Sequence, residues 1–173
     1  MPPARTGYSA AQIALHWIIA VLIVAQVVLH EGMETVYGAA QGDSGGGPAP
    51  TEAERLMADL HVAGGITVFL LALLRVVLRL RRGAPPPPEI EHPALRFAAK
   101  VVHFLFYAVI LLMPFSGALA WFGDVGAAAA AHRAGMLIIV ALLLLHVAGA
   151  LYHHFVLKTD VMRRILRPER MAP

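Results

Sequence analysis

Four long apolar stretches alternate with polar segments along the chain. They lie at about residues 10–30, 60–80, 98–122 and 127–157. A helix that crosses the hydrocarbon core of a bilayer needs roughly 20 mostly apolar residues, and each stretch is long enough. The second stretch ends in Arg75 and Arg79, whose long side chains reach the interface from a helix end. The pattern therefore predicts an all-α integral membrane protein, a four-helix bundle.

The segments between the apolar stretches differ in character. Residues 31–59 are rich in glycine, proline and acidic residues, which predicts a flexible loop with a short amphipathic lead into the second helix. Residues 84–88 read APPPP, which favours an extended polyproline spacer. Residues 123–131 form a short link, and residues 158–173 form a basic tail. We therefore expect a single transmembrane domain over residues 1–173.

The basic residues are distributed unequally between the two sides of such a bundle. Four spans put both termini and the loop between helices two and three on one side, which then carries twelve of the fourteen Lys and Arg residues. Only Arg55 and Arg133 lie on the other side, together with seven acidic residues. Because basic residues accumulate on the cytoplasmic side of membrane proteins, both termini are predicted to be cytoplasmic. The expected surroundings are the lipid bilayer, and no nucleic-acid partner is expected.

Composition agrees with a membrane protein and narrows its chemistry. The chain is 58% hydrophobic and 14% charged, whereas soluble domains are about 45–50% apolar and about 25% charged. It has no cysteine and nine histidines. The missing cysteines exclude disulfides, iron–sulfur clusters and covalently attached c-type haem. The histidines are therefore the candidates for chemistry.

The spacing of the histidines indicates which of them lie at the same depth of the bundle. His132 and His146 are 14 residues apart, which places them within about 40° of one helix face and about 21 Å apart in depth. His16 lies at the depth of His146, and His61 lies at the depth of His132. His30 is also 14 residues from His16. The partner of His132 is therefore either His61 or His30.

Two imidazoles at each depth predict two stacked haem groups. A low-spin haem iron takes two axial ligands, whereas zinc sites use three or four protein ligands. Without cysteine the haem would be non-covalent b-type. The alternative is that each histidine forms a hydrogen bond to a neighbouring helix.

The sequence around these histidines resembles a known family. Residues 13–17 read Ile-Ala-Leu-His-Trp, and residues 60–65 read Leu-His-Val-Ala-Gly-Gly. The third stretch contains Met-Pro-Phe-Ser-Gly at 113–117, and the fourth ends in Tyr-His-His-Phe at 152–155. Over nearly its whole length the chain resembles the bacterial cytochrome b561 family. These small di-haem, four-helix proteins include superoxide:ubiquinone oxidoreductase.

The resemblance implies a ligand for each axial position. His16 and His146 would hold a cytoplasmic haem b, and His61 and His132 would hold a periplasmic one. The resemblance thus selects His61 over His30.

The resemblance also implies a ubiquinone site near the cytoplasmic ends of helices one and four. Trp17, His153 and His154 would line it. An indole offers an aromatic face and an N–H at the interface, and a histidine delivers a proton to a quinone carbonyl. The alternative is an interfacial aromatic anchor beside a histidine pair that faces lipid headgroups.

Three more residues are candidate contacts of a haem or quinone. His103 would bond a haem propionate, help the quinone site or bond a neighbouring helix. Arg75 and Arg79 would pair with propionates, since guanidinium suits carboxylates, or serve as topology signals.

The implied activity is that of a superoxide oxidase in the bacterial inner membrane, with ubiquinone as electron acceptor. A first alternative is a cytochrome b that serves a periplasmic redox protein, because the acidic outer face would suit a basic partner and does not attract an anion. A second alternative is a haem-free membrane anchor or a small transporter subunit.

Overall fold

The computed structural model describes residues 7–42, 49–88 and 92–169. Within these ranges the regular elements are helices: α1 (Ala10–Ala40), α2 (Glu52–Arg82), α3 (Pro93–Gly123), α4 (Gly126–Phe155) and the short α5 (Val161–Leu166). The first four are each long and apolar enough to cross a membrane. The prediction of an all-α protein with four spans is therefore confirmed.

Helices α1, α2 and α3 are longer than the apolar stretches that predicted them, and α4 matches its stretch to within two residues at each end. Each has 30 or 31 residues, which at 1.5 Å per residue is about 46 Å. The hydrocarbon core of a bilayer is only about 30 Å thick. The helices therefore tilt or continue into the headgroup region and beyond it.

The loop predicted within residues 31–59 is wrong at its start, which is helical, whereas the expected lead into the second helix is present. Residues 31–40 continue α1 and residues 52–59 begin α2, while residues 43–48 lie outside the described ranges. At the start of α2, Thr51 and Glu54 cap each other's backbone amides, which is a strong helix-start signal.

A contact between helices accompanies the extension of α1. The ring of Tyr37 lies 6.3 Å from that of Trp121 on α3, centroid to centroid. Beyond the end of α1, the side-chain amide of Gln41 donates a hydrogen bond to the Asp124 carboxylate. These contacts lie outside the apolar core of the helix, so hydropathy gave no sign of them.

The basic tail contains a helix, α5, which the sequence did not predict. This helix has only six residues, too few to be stable alone. It is held by contacts with residues far away in sequence, among them a hydrogen bond from the Trp17 indole N–H to the carbonyl of Ile165 (3.1 Å). The pattern of residues within one segment cannot predict such long-range contacts.

The long helices pack mainly as two hairpins, α1 with α2 and α3 with α4, joined through α2 and α3. Their chain directions put residues 7–9, residues 83–88 and α5 at one end of the bundle, here named the terminal side. The Gln12 side chain, for example, donates to the carbonyl of Gly83 (3.0 Å). The opposite end, with the α3–α4 turn, is named the far side.

The outer surface of the bundle is apolar. The side chains of Val21, Leu70 and Leu144, for example, are 66%, 59% and 67% exposed. Helices that are apolar all round belong in a core or a membrane. The exposed surface is therefore the one that lipid would cover.

Candidate functional site

The first histidine pair lies on the terminal side. His16 of α1 and His146 of α4 face each other with ring centroids 6.1 Å apart and ring planes at 66°. Both rings are half-buried, and they bridge the two hairpins, since α1 and α4 pack mainly on other helices. These two residues are named the terminal pair.

The second pair lies at a different depth of the bundle, towards its far side. His61 of α2 and His132 of α4 have ring centroids 6.0 Å apart and ring planes at 74°. Because His132 and His146 are 14 residues apart on one helix, the two pairs are separated by about 21 Å along the helix axis. His61 and His132 are named the far pair.

The spacing within each pair suits a shared metal. Two imidazole nitrogens at about 2 Å from one metal ion put their ring centroids about 6 Å apart. In the described part of the chain, no group of three or more His, Asp or Glu side chains is arranged to hold a bare ion. Two imidazoles alone suit a metal that brings its own equatorial ligands, as haem iron does. The donor set therefore fits haem.

Hydrogen bonds fix the orientation of His132. Its Nδ1 lies 2.8 Å from the backbone carbonyl of Met113 and 3.3 Å from the hydroxyl of Ser116. A carbonyl only accepts, so Nδ1 carries the proton and donates it there. The Nε2 lone pair is thereby left for a metal, the arrangement typical of metal-binding histidines.

A glycine makes room for the same ring. A Cβ atom on Gly117 of α3 would lie 2.9 Å from Cε1 of His132 and 3.1 Å from its Nδ1. The first distance is shorter than real Cβ contacts and the second is tight, so glycine lets the imidazole lie this close to α3. Gly117 thus positions His132.

The far pair lines a large cavity between the helices. Its volume is about 800 Å³, within the roughly 300–1,000 Å³ of small-molecule and cofactor sites. Gly65 and Gly117 contribute bare backbone to its wall, and Arg133 contributes a charged side chain. The cavity has the size and the mostly apolar lining that a large flat cofactor needs.

His30 lines this cavity too, but the surroundings of its ring differ from those of His61. Its Nε2 lies 3.5 Å from a carboxylate oxygen of Glu34, one turn further along α1. His61 Nδ1, by contrast, is buried without a hydrogen-bond partner in the described structure. The ring that faces His132 at 6.0 Å is that of His61.

The terminal pair has aromatic neighbours. The rings of His103 and Phe106, both on α3, each lie 5.4 Å from that of His146 and nearly perpendicular to it. The Nδ1 of His103 lies 2.6 Å from the carbonyl of Ala99, which it must donate to, so its Nε2 is an acceptor. A third imidazole therefore adjoins the terminal pair.

The two arginine candidates lie on the same side of the bundle. One guanidinium N–H of Arg75 donates to the backbone carbonyl of Gln12 on α1 (3.1 Å). Arg79 is exposed one turn further on. Arg75 therefore ties α2 to α1 and still has N–H groups to offer.

The residues predicted to bind quinone also lie on the terminal side. The Trp17 ring is 43% exposed, and its N–H already donates to Ile165 of α5. His153 Nδ1 lies 3.1 Å from the Thr159 hydroxyl, and the His154 ring packs edge-on against that of Phe155 at 4.7 Å. The indole N–H of Trp17 is therefore committed to holding α5.

Sequence reasoning missed the residues that support the histidines. The Met113 carbonyl and the Ser116 hydroxyl, which orient His132, lie on either side of Pro114 in α3. A proline inside a helix removes a backbone hydrogen-bond donor. The combination of Pro114 with Ser116 and Gly117 is the sequence signal that could have pointed to this part of α3. Phe106 carried no comparable signal, because it is one of many apolar residues on its helix.

Comparison with known proteins covers almost the whole chain. The model of a family described as prokaryotic cytochrome b561 matches residues 7–168. Cytochrome b562 of Cereibacter sphaeroides is 34% identical over 94% of this chain and 96% of its own length. The probable superoxide oxidase CybB of Yersinia pestis is 26% identical over 94% and 97%, and cytochrome b561 homolog 2 of Escherichia coli is 28% identical over 95% and 92%. Both histidine pairs and α5 fall within the matched residues.

Proposed function

Since this chain belongs to the prokaryotic cytochrome b561 family of membrane electron-transfer proteins, we propose that it moves electrons between its far side and ubiquinone on its terminal side. Membership implies that the chain binds haem b. The proposal adds the number of groups, two, and the residues that hold them. His16 and His146 hold one haem, and His61 and His132 hold the other.

One observation carries the proposal: two imidazole pairs, on α1, α2 and α4, with ring centroids 6.1 Å and 6.0 Å apart. The two imidazole pairs would hold haem, which would supply one-electron redox chemistry when bound. The protein contributes the ligands, their orientation and an apolar sleeve. On the far side the Met113 carbonyl and Gly117 fix one ligand, and the helices of both hairpins enclose the cavity.

The distribution of basic residues supports one orientation of the bundle in the membrane. The terminal side carries the basic residues at the end of α2, at the start of α3 and in α5, so we assign it to the cytoplasm of a bacterial inner membrane. The far side would then be periplasmic. Electrons enter there and leave on the terminal side.

Ubiquinone would bind near the ends of α1 and α4. The exposed face of the Trp17 ring would pack against the quinone ring, while its N–H stays on Ile165. His153 and His154 would supply protons, because quinone reduction consumes two. His103 is a further contact of the terminal haem or of the quinone, through its free Nε2.

Superoxide is the proposed electron donor. Two superoxide anions lose one electron each and become O₂, and one ubiquinone takes up both electrons and two protons to become ubiquinol. The name of the Yersinia pestis relative supports this choice. So does the placement of Arg133, which follows the ligand His132 in sequence and lines the far cavity, where it attracts an anion.

A second candidate donor is a periplasmic redox protein. The far side carries exposed acids, among them Glu34, Asp59 and Asp124. They would dock a basic partner and repel a free anion. In this variant the haem path and the quinone site are unchanged.

Rapid mixing decides between the donors. The purified protein, with ubiquinone present, is mixed with superoxide, and haem absorption is followed. Reduction far faster than that of a His132→Ala variant supports superoxide as donor. Reduction at the same rate as in that variant contradicts it and leaves the protein donor. An absorption spectrum without a haem band after expression with adequate haem would instead favour a haem-free anchor or transporter subunit.

A further inference from the structure

A second cavity lies on the terminal side, away from both histidine pairs. Its volume is about 450 Å³, and three arginines of the α5 segment line it together with Gly7 and two acids. The arginines are Arg163, Arg164 and Arg167, and the acids are Asp160 and Glu169. The electron-transfer role described above leaves this cavity unused.

The two acids already have partners. The Asp160 carboxylate accepts a hydrogen bond from Nε of Arg164 at 2.8 Å, and Arg164 also donates to the carbonyl of Pro86. Glu169 lies 3.5 Å from the guanidinium of Arg82. The charges of both acids are therefore compensated from within the chain.

Arg163 and Arg167 are different. Both are exposed, and within residues 7–42, 49–88 and 92–169 neither guanidinium makes a hydrogen bond or an ion pair. Arg163 lies on α5 and Arg167 directly follows the end of that helix, and both line the cavity. Ten guanidinium N–H donors in two planar forks therefore converge on one concave site with two uncompensated positive charges.

The cavity is lined by Gly7 and by residues between 160 and 169, and hydrogen bonds tie these two segments to the bundle. The Trp17 indole donates to Ile165 (3.1 Å), Arg164 donates to Pro86 (2.7 Å), and the Glu169 amide donates to the carbonyl of Tyr8 (2.9 Å). Residues near the start of α1, the connection after α2 and α5 are thus tied together. The arginines are fixed relative to the bundle.

Apolar side chains flank the same segment. Phe155 and Val156 at the end of α4 are 67% and 60% exposed, and Leu166 of α5 is 56% exposed. A short helix with apolar and basic residues next to a membrane-spanning helix is typical of an interfacial segment. The cavity therefore lies where lipid headgroups meet the protein.

We propose that this cavity binds the phosphate of an anionic phospholipid headgroup through Arg163 and Arg167. Guanidinium forks match phosphate oxygens in geometry and charge, and basic pockets at the cytoplasmic ends of membrane helices suit anionic headgroups. The exposed apolar side chains beside the cavity accompany the acyl chains, which a soluble phosphate lacks. The proposal is independent of the electron-transfer function.

The test uses the full-length protein in micelles of a neutral detergent. Phosphatidylglycerol, phosphatidylcholine or inorganic phosphate is added, and bound molecules are counted by native mass spectrometry. We expect one phosphatidylglycerol per chain, at least about tenfold tighter than phosphatidylcholine, because the choline cation of the zwitterionic lipid cancels the phosphate charge and is repelled by the two guanidinium groups. Equal binding of the two lipids overturns the proposal, as does full displacement by inorganic phosphate at equal concentration.

A matched pair of variants localises the site. Arg163→Gln with Arg167→Gln should weaken phosphatidylglycerol binding by at least about tenfold. Arg81→Gln changes an exposed arginine of α2 on the same side but outside the cavity, and it should leave binding unchanged. An equal loss in both variants would show a general charge effect and overturn the proposal. If the double variant does not fold, the lipid comparison on the unchanged protein still decides.

Discussion

The two histidine pairs have nearly the same internal geometry and very different surroundings. The far pair lines a cavity of about 800 Å³, and one of its rings lies against bare backbone at Gly117. The terminal pair is flanked by the rings of His103 and Phe106. The same two-imidazole unit is thus placed once beside open space and once among aromatic side chains.

This difference in surroundings favours a different redox partner for each pair. A site beside a cavity with exposed charges nearby suits a donor that arrives from water. A site flanked by aromatic rings and apolar surface suits an acceptor that arrives from the lipid phase. The distance between the two imidazole rings does not distinguish the two pairs, so the distinction must come from what surrounds them.

The largest expected effect comes from removing one ligand on α4. His132→Ala should lose the far haem and His146→Ala the terminal one, each lowering haem content from about two to about one per chain, since each site loses an axial ligand. Haem extraction and protein quantification measure the ratio. His154→Ala, on the same helix, is the control and should keep both. Loss of both haems in either single variant would break the picture of two separate sites.

The next largest effect concerns Gly117. The Cβ of Gly117→Ala would push against the His132 ring, so we expect the far site to bind haem about 10–100-fold more weakly, the range for disturbed ligand support. Haem titration into the apoprotein measures this. Gly123→Ala, on the same helix, would place its Cβ at an ordinary 3.6 Å from Val125 and should change nothing. A weakening confined to the terminal site would contradict the assignment.

Ionic strength should change the rate at which superoxide reduces the protein from the far side. Its acids repel an anion, so raising ionic strength should speed reduction by superoxide several-fold as the Debye length falls from about 30 Å to about 8 Å. Stopped-flow rates across this range provide the measurement. A rate that falls with salt would mean that Arg133 dominates the local field, and Arg133→Gln should then abolish that dependence. With a basic protein as donor the rate would also fall, but the reaction would need that protein.

The terminal side should respond to Trp17→Phe. The substitution removes one hydrogen bond to α5, worth about 1 kcal/mol, so the C-terminal segment should open about fivefold more often. Limited proteolysis after residue 157 measures this opening. The haem content should not change. A variant that loses the terminal haem instead would show that Trp17 supports the ligands directly.

The smallest effect is expected at Ser116. Its hydroxyl donates to the Met113 carbonyl (2.9 Å) and so competes with His132 Nδ1 for that acceptor. Ser116→Ala should strengthen the bond from His132, make the imidazole more basic and lower the far midpoint potential by a few tens of millivolts, less than the 59 mV of a tenfold change. A redox titration resolves the two haems. An equal shift at both would contradict the placement of Ser116 beside the far pair alone.

The sequence predicted the four spans because twenty or more apolar residues leave a chain few alternatives. It did not predict where the helices end, because Thr51 with Glu54 and Tyr37 with Trp121 extend them beyond the apolar core. It missed α5 altogether, since that helix depends on Trp17 and other residues distant in sequence.

Helical spacing brought His16 and His146 into consideration, but it treated His30 and His61 alike. Both lie at the depth of His132, and periodicity within one helix says nothing about which neighbouring helix presents its ring. The packing of the two hairpins decides that, and it brings the ring of His61 to 6.0 Å from that of His132.

The choice between these two histidines is therefore the most direct test of the account. Haem content is measured side by side in the unchanged protein, His61→Ala and His30→Ala. The account predicts about two, about one and about two haems per chain, because His61, and not His30, is the proposed partner of His132. Two haems in His61→Ala with one in His30→Ala would contradict it.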